Sequence, residues 1–277
     1  MLARIVGVTR ERGQLGSSRS SEPPLPTFLI IGAQKSATRW LRLNLGLHPD
    51  VYTVPTELEF FNKPDRFETL GVRGYRERFN RWSHAPFVGE STPGYMFYND
   101  EPAETAQRIF EVVPDVQLIT ILRNPVDRAQ SALIHHIDFR ALPQDTDLLD
   151  HVRRTAPESD PLGIVAGGWY ATSLEPFQER FGEQLLVLLH DDIDDDPRGA
   201  YDRSLRHIGA APDFMPPQLE RVRFSNQQNP SRRRNGGREL TLEQRRELYE
   251  YFRADIQKLE HMLGRDLSIW DPEHPSC

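Results

Sequence analysis

The chain has 277 residues, with 34 Lys and Arg against 41 Asp and Glu, and its net charge of −7 argues against a nucleic-acid binder, which would carry a basic surplus. Its one cysteine, Cys277, excludes an intrachain disulfide and a cysteine-built zinc site, and suits a reducing compartment. The length allows one large core in one or two domains.

Residues 1–26 hold Arg4, Arg10, Arg12 and Arg19 among scattered Gly and Ser, without an apolar stretch of useful length. They read as a flexible tail rather than a signal peptide or membrane anchor. No later window is long and apolar enough to span a bilayer, so a cytoplasmic protein is expected, with residues 27–277 as its folded domain.

Residues 28–31 (FLII) form an apolar run of high strand propensity that enters the turn Gly32-Ala33-Gln34-Lys35-Ser36-Ala37-Thr38. Helical spacing begins at Trp40, with Leu41, Leu45 and Leu47 among polar neighbours. Strand, tight turn and helix start together form an anion site. Backbone N–H groups and the positive end of the helix dipole point into the turn, and Lys35 adds a full charge. The loop is shorter than a Walker A motif, since Gly32 stands only three positions before Lys35. A single 5′-phosphate bearing a transferable group fits better than a nucleoside triphosphate with magnesium.

In residues 51–61 (VYTVPTELEFF), Glu57 and Glu59 would share one face of a strand. Glu90, ahead of Pro93-Gly94 turn chemistry, reads as a buried carboxylate capping nearby backbone. Residues 116–122 (VQLITIL) carry the continuous apolar pattern of a strand buried on both faces, and a helical segment starts at Asp127. Arg123 therefore stands at the carboxyl end of a strand, the edge where open α/β sheets bind ligands. Ser131 follows eight positions on, about two helical turns away. An Arg fork and a Ser hydroxyl in that arrangement can grip a second phosphate.

Residues 143–161 are polar and Pro-flanked, and read as a mobile excursion over the ligand edge. Residues 175–181 and 242–263 have helical spacing, and residues 184–189 form a third buried strand. The acidic run from Asp191 to Asp196 lacks the Gly and terminal Glu of a calcium loop and reads as a solvated turn, so no metal is expected. Arg232, Arg233 and Arg234 precede a Gly pair and form the strongest basic cluster. Three apolar runs separated by helical stretches predict an α/β fold with a central, mainly parallel sheet flanked by helices.

Taken together, residues 28–40 (FLIIGAQKSATRW) and 119–131 (ITILRNPVDRAQS) resemble the two phosphate elements of the 3′-phosphoadenosine 5′-phosphosulfate (PAPS)-dependent sulfotransferases. The resemblance runs from about residue 27 to 270, through ELEFF, GESTPGY and GWYATSL in order. It implies a P-loop-like three-layer fold and transfer of a sulfuryl group to a hydroxyl or amine of a saccharide, lipid or small metabolite. Lys35, Ser36, Ala37, Thr38, Arg39 and Trp40 would then hold the 5′ end of PAPS, and Arg123 with Ser131 its 3′-phosphate. Tyr170 would line the adenine or belong to the core. One or more of Arg232, Arg233 and Arg234 would close over the 3′-phosphate.

Lys35 would balance charge on the bridging oxygen, and Glu57 would act as the base. Glu59 is the alternative base, and His135 and His136 are more remote rivals. Thr56 and Glu59 stand where heparan-sulfate-type members often carry Lys and His. Ala37 stands in a usual glycine position, so its backbone is expected to avoid positive φ. A P-loop-type kinase and a nucleotide-binding module without turnover are the competing readings.

Overall fold

The computed structural model describes residues 22–97, 101–155, 160–217, 219 and 239–274. Five strands form one sheet: β1 (Phe28–Gly32), β2 (Val51–Thr53), β3 (Phe87–Ser91), β4 (Gln117–Leu122) and β5 (Leu185–Leu189). Their order is β2-β3-β1-β4-β5 and every pairing is parallel. Parallel neighbours need crossovers, and helices supply them. They are α1 (Thr38–Leu45), α2 (Pro64–Arg76), α3 (Pro102–Val112), α4 (Pro125–Asp138), α5 (Leu148–Arg154) and α6 (Tyr170–Phe181). After β5 come α7 (His190–Asp195), α8 (Pro197–Ile208), α9 (Leu242–Glu250) and α10 (Arg253–Leu263).

Crossovers on both faces bury both sides of the central strands, which is why β1 and β4 read as unbroken apolar runs. Alternate residues feed two cores. Phe28 and Ile30 pack with Trp40, Leu41 and Leu45 of α1 and with Tyr201 and Leu205 of α8. Leu29 and Ile31 face the opposite core, with Ile109 of α3, Phe177 of α6 and Leu259 of α10. Truncating a fully buried residue such as Ile30 to Ala costs about 2–5 kcal/mol, since transfer and cavity contributions add.

The topology fixes where a ligand binds. From β1 the chain moves through α1 to β2 on one side, and after β3 it crosses through α3 to β4 on the other. The switch opens a crevice beyond the carboxyl ends of β1 and β4. There the β1–β4 register shifts between Ile30 and Gly32. Gly32 is needed at this point, because a Cβ on it would lie 2.2 Å from Met96 Cγ and Sδ.

The three apolar runs are β1, β4 and β5, but β2 and β3 were not foreseen. β2 has three residues, and β3 ends in Gly89-Glu90-Ser91, buried but not apolar. Residues 22–26, assigned to the tail, are in fact anchored: Arg76 donates to the Pro23 carbonyl at 3.3 Å and Leu25 packs on the core. The rest of that tail lies outside the described residues. The excursion at 143–161 contains α5, which buries Leu148, Leu149 and Val152 and is capped by Asp147. Helical spacing at 242–263 resolves into α9 and α10, which break at Tyr251 and Phe252.

The acidic run is helical rather than a turn, since Asp191–Asp195 lie on α7. It is solvated only in part: Asp194, Asp195 and Asp196 are exposed, and Asp191, Asp192 and Asp194 have partners. Asp191 accepts from Trp270 Nε1 at 3.0 Å, Asp192 pairs with Arg265 and accepts from the Leu189 amide, and Asp194 pairs with His190.

Candidate active site

The loop between β1 and α1 carries the first set of candidate residues. Lys35 and Ala37 take left-handed backbone, with φ of 71° and 68°, on either side of Ser36. Such alternation turns successive N–H groups toward a common centre and makes an anion-binding concavity. Helix α1 starts directly behind it with no side-chain cap, so its first amides face the same space. The expectation that Ala37 avoids positive φ is therefore overturned. Turning the amides inward outweighs the cost of about 1–2 kcal/mol that a Cβ imposes in this region.

Ser36 is fully buried, and its Oγ has no hydrogen-bond partner of good geometry. The Tyr170 hydroxyl lies beside it and donates instead to the Arg123 carbonyl at 2.9 Å. A buried hydroxyl held at the floor of an amide-lined turn suits a phosphate oxygen. Thr38 is buried at the helix start, while Arg39 is exposed on the first turn. Trp40 points away, into the core beneath α1, where its Nε1 donates to the Leu219 carbonyl at 3.1 Å. Its side chain is a floor to the loop, and only its backbone reaches the cradle.

The second element abuts the first. Arg123 leaves the end of β4 and donates through Nη1 to the Lys35 carbonyl at 3.3 Å. Asn124 caps α4 by accepting from the Val126 amide, and its Nδ2 donates to the Trp270 carbonyl. Ser131 lies on α4, nearly buried. Behind Arg123 sits the fully buried guanidinium of Arg128, which donates to the Gly163 and Ile164 carbonyls and adds to the positive potential. The Tyr170 ring is buried against Trp270, with centroids 6.1 Å apart. Of the two readings of this residue, its burial and its contact with Trp270 suit the core, and its hydroxyl donates to the Arg123 carbonyl. Arg232, Arg233 and Arg234 lie outside the described residues.

The third element is the segment after β2. Residues 57–59 are not a strand, and Glu59 has a φ of 47°, so the strand alternation invoked for Glu57 and Glu59 does not apply. Glu59 turns to Arg66 of α2 at 3.7 Å. Glu57 is exposed to solvent, with protein on part of its surroundings. Burial raises its pKa above the usual carboxylate value and nearby Glu59 raises it further, while Arg42 and Lys35 pull it back. Of these influences the Lys35 charge is the smallest. Arg42, on α1 three residues after Arg39, was missed by the sequence reading; the i, i+3 spacing of the two basic residues was the available signal.

The Lys35 charge also acts on His135. Burial, the Lys35 charge and His136 together lower its pKa to about 4, so its imidazole is neutral near pH 7. His136 is lowered too, first by burial, and its Nε2 lies 3.1 Å from the Leu162 carbonyl.

Beneath the Glu57 segment lies Glu90, fully buried on β3. It does not cap its own turn; its carboxylate accepts from Tyr75 Oη at 2.8 Å, Tyr95 Oη at 2.6 Å and Thr92 Oγ1 at 2.6 Å. Burial raises its pKa, and the three hydroxyls and the Leu58 amide oppose that rise. Among the described residues, no group of three His, Cys, Asp or Glu side chains could hold a metal ion.

Comparison with known proteins identifies this architecture. The family profile described as "Sulfotransferase domain" matches residues 25–256. The chain belongs to the sulfotransferase family. It is 29% identical over 269 residues to mouse heparan sulfate glucosamine 3-O-sulfotransferase 3B1, covering 92% of this chain and 67% of that protein. Mouse bifunctional heparan sulfate N-deacetylase/N-sulfotransferase 4 is 28% identical, with 89% of this chain and 31% of that protein covered. The chain thus spans about one third to two thirds of the length of these curated relatives. A sulfotransferase crystal structure from Alicyclobacillus acidocaldarius superposes with a TM-score of 0.73 at 28% identity, covering 89% of this chain and 99% of that one.

The protein is therefore a sulfuryl-transferring enzyme of P-loop-like fold with PAPS as donor, and not a kinase. Its donor set fits that group: a Lys and an orphaned buried hydroxyl in an amide-lined turn, with an Arg and a Ser on the next element. Among the described residues, no helix is long and apolar enough to cross a membrane.

Proposed function

We propose that the crevice between β1 and β4 holds PAPS, with Glu57 as the general base toward an acceptor hydroxyl or amine. The observation that carries this reading is the Arg123 guanidinium donating to the Lys35 carbonyl. One hydrogen bond joins the two phosphate elements, and the Lys35 charge acts on Glu57. Lys35, Ser36, Ala37, Thr38 and Arg39, with the Trp40 amide, hold the 5′ end. Arg123 and Ser131 hold the 3′-phosphate, and Arg232, Arg233 and Arg234 remain candidates to close over it.

PAPS, when bound, supplies the sulfuryl group and a phosphate leaving oxygen. Lys35 places a unit charge beside that oxygen, worth roughly 4 kcal/mol at about 4 Å and an effective dielectric of 20. Glu57 accepts the acceptor's proton, and its raised pKa brings it closer to neutral pH, where a general base works best.

Saccharides are the favoured acceptor class, because the relatives named above act on heparan sulfate. Lipid and small-metabolite acceptors share the same reactive groups. The single cysteine supports a cytoplasmic setting. Calorimetric titration with PAP, the desulfated product, tests the nucleotide site. Transfer of label from radiolabelled PAPS to pools of desulfated heparan oligosaccharides, lipids and phenols tests the acceptor class. PAP binding with no transfer to any pool and no sulfate release would favour a binding module.

A further inference from the structure

Resting on Glu57 as the base, we propose that Glu90 and Thr92 are positioning residues: the buried Glu90 carboxylate, through the hydroxyls of Thr92 and Tyr95, suspends the Glu57 segment over the crevice. The chain of contacts is continuous. Thr92 Oγ1 donates to Glu90 Oε2 and accepts from the amides of Leu58 at 3.0 Å and Glu59 at 3.4 Å. Tyr95 Oη donates to Glu90 Oε1 and accepts from the Phe60 amide at 3.3 Å. Three consecutive amides of an irregular segment, immediately after the base, thus hang on two hydroxyls. Both hydroxyls are aimed by one buried carboxylate.

The polarity of the network explains why the central group is a carboxylate. A hydroxyl has one proton and two lone pairs, and Thr92 Oγ1 uses all three. It can accept from two amides only because its proton goes to Glu90. The two tyrosines likewise give their protons to Oε1 and turn lone pairs outward. In Glu90→Gln an NH2 would face either Thr92 or the tyrosine pair. The hydroxyl it meets would have to accept there and turn its proton toward the segment's amides. That side chain has nearly the same shape but opposes the suspension.

Other ties hold this segment's far side. Arg66 Nη1 donates to the Leu58 carbonyl at 2.6 Å, and Arg108 Nη1 to the Phe61 carbonyl at 3.0 Å. Phe60 and Phe61 are buried, with Phe60 stacked on Tyr75 at 4.3 Å. The segment therefore stays folded when Thr92 is changed, and what is lost is the placement of its first residues. A displacement on the order of 1 Å costs about a hundredfold in rate.

Thr92→Val deletes the hydroxyl at constant volume, and Thr92→Ser restores it. Three readings are needed: PAP affinity by calorimetry, amide hydrogen exchange at residues 58–60, and turnover of radiolabelled PAPS. Turnover is followed on desulfated heparan oligosaccharides and as sulfate released to water. The proposal expects Thr92→Val to keep PAP affinity within about twofold, to speed exchange at residues 58–60, and to lower turnover about ten- to a hundredfold. Thr92→Ser should return all three to near wild type. In a Glu57→Gln background, Thr92→Val should add no further loss, since both act through one group.

Wild-type turnover in Thr92→Val, or a loss of full size in the Glu57→Gln background, would overturn the proposal. Full activity of Glu57→Gln alone would instead overturn the assignment of the base. Glu90→Gln should repeat the Thr92→Val pattern; if it does not fold, the threonine pair decides alone.

Discussion

The two sides of the crevice are built by different means. The proposed nucleotide side is made largely of backbone: a turn with two left-handed residues and the open end of α1, joined by an Arg at the next strand end whose guanidinium bonds a carbonyl of that turn. The acceptor side is an irregular segment with no strand or helix of its own, held from beneath by side-chain hydroxyls on a buried carboxylate. The first arrangement follows from sheet topology, and Lys35 and Arg123 add single charges to it. The second depends on single groups, so a small change there should act on chemistry while leaving nucleotide binding alone.

The largest expected effect tests whether Lys35 belongs to the chemistry as well as the cradle. Lys35→Ala should lower turnover by about a thousandfold, the rate equivalent of roughly 4 kcal/mol of lost charge stabilisation. Initial rates with radiolabelled PAPS at saturation would show it. A loss confined to KM would make Lys35 a binding residue alone.

Next comes Arg123→Ala, which should weaken PAP at least tenfold, because a charge-assisted hydrogen bond contributes about 1.5–3 kcal/mol. Adenosine 5′-phosphosulfate, which has no 3′-phosphate, should be weakened far less. Parallel calorimetric titrations distinguish the two, and equal weakening would place Arg123 away from the 3′-phosphate.

The acceptor side has a pH signature. As the proposed base, Glu57 would work only when deprotonated, so turnover should rise with pH through its pKa, which burial and Glu59 raise above the usual carboxylate value. Removing the Glu59 charge in Glu59→Gln removes one of the raising influences, so the acidic limb should move to lower pH while the plateau changes little. A limb that stays in place would assign the titration to another group. His135 is titrated out at about 4.

The smallest effect tests strain in the cradle. Ala37→Gly removes the left-handed cost of about 1–2 kcal/mol but adds backbone entropy of about 0.5–1 kcal/mol to the unfolded chain. Stability should be unchanged or up to about 1.5 kcal/mol higher by urea denaturation, with PAP binding retained.

The contrast also explains what could be read from the sequence. Strands β1 and β4 and the turns that follow them are local patterns, so Lys35, Ser36 and Arg123 were legible with their neighbours. The conformation of Ala37 was not, because a tertiary demand for inward amides overrode its preference. The Glu57 segment was found only through resemblance, and its strand geometry was wrong. Its backbone is set by Thr92 and Tyr95, more than thirty residues away in sequence, and through Glu90 by Tyr75. Neither hydrophobic period nor turn chemistry encodes such contacts. Strand β3 escaped notice because Gly89, Glu90 and Ser91 are buried without being apolar, Gly89 against the Phe28 ring and Glu90 among three hydroxyls.

The most direct test of the whole arrangement is Glu57→Gln, assayed for PAP affinity and for turnover on the same preparation. The division of the crevice predicts a PAP dissociation constant within about twofold of wild type and turnover lower by roughly 10²–10⁴, the usual range for loss of a general base. Wild-type turnover in this variant, or a loss of PAP affinity as large as the loss of rate, would contradict it.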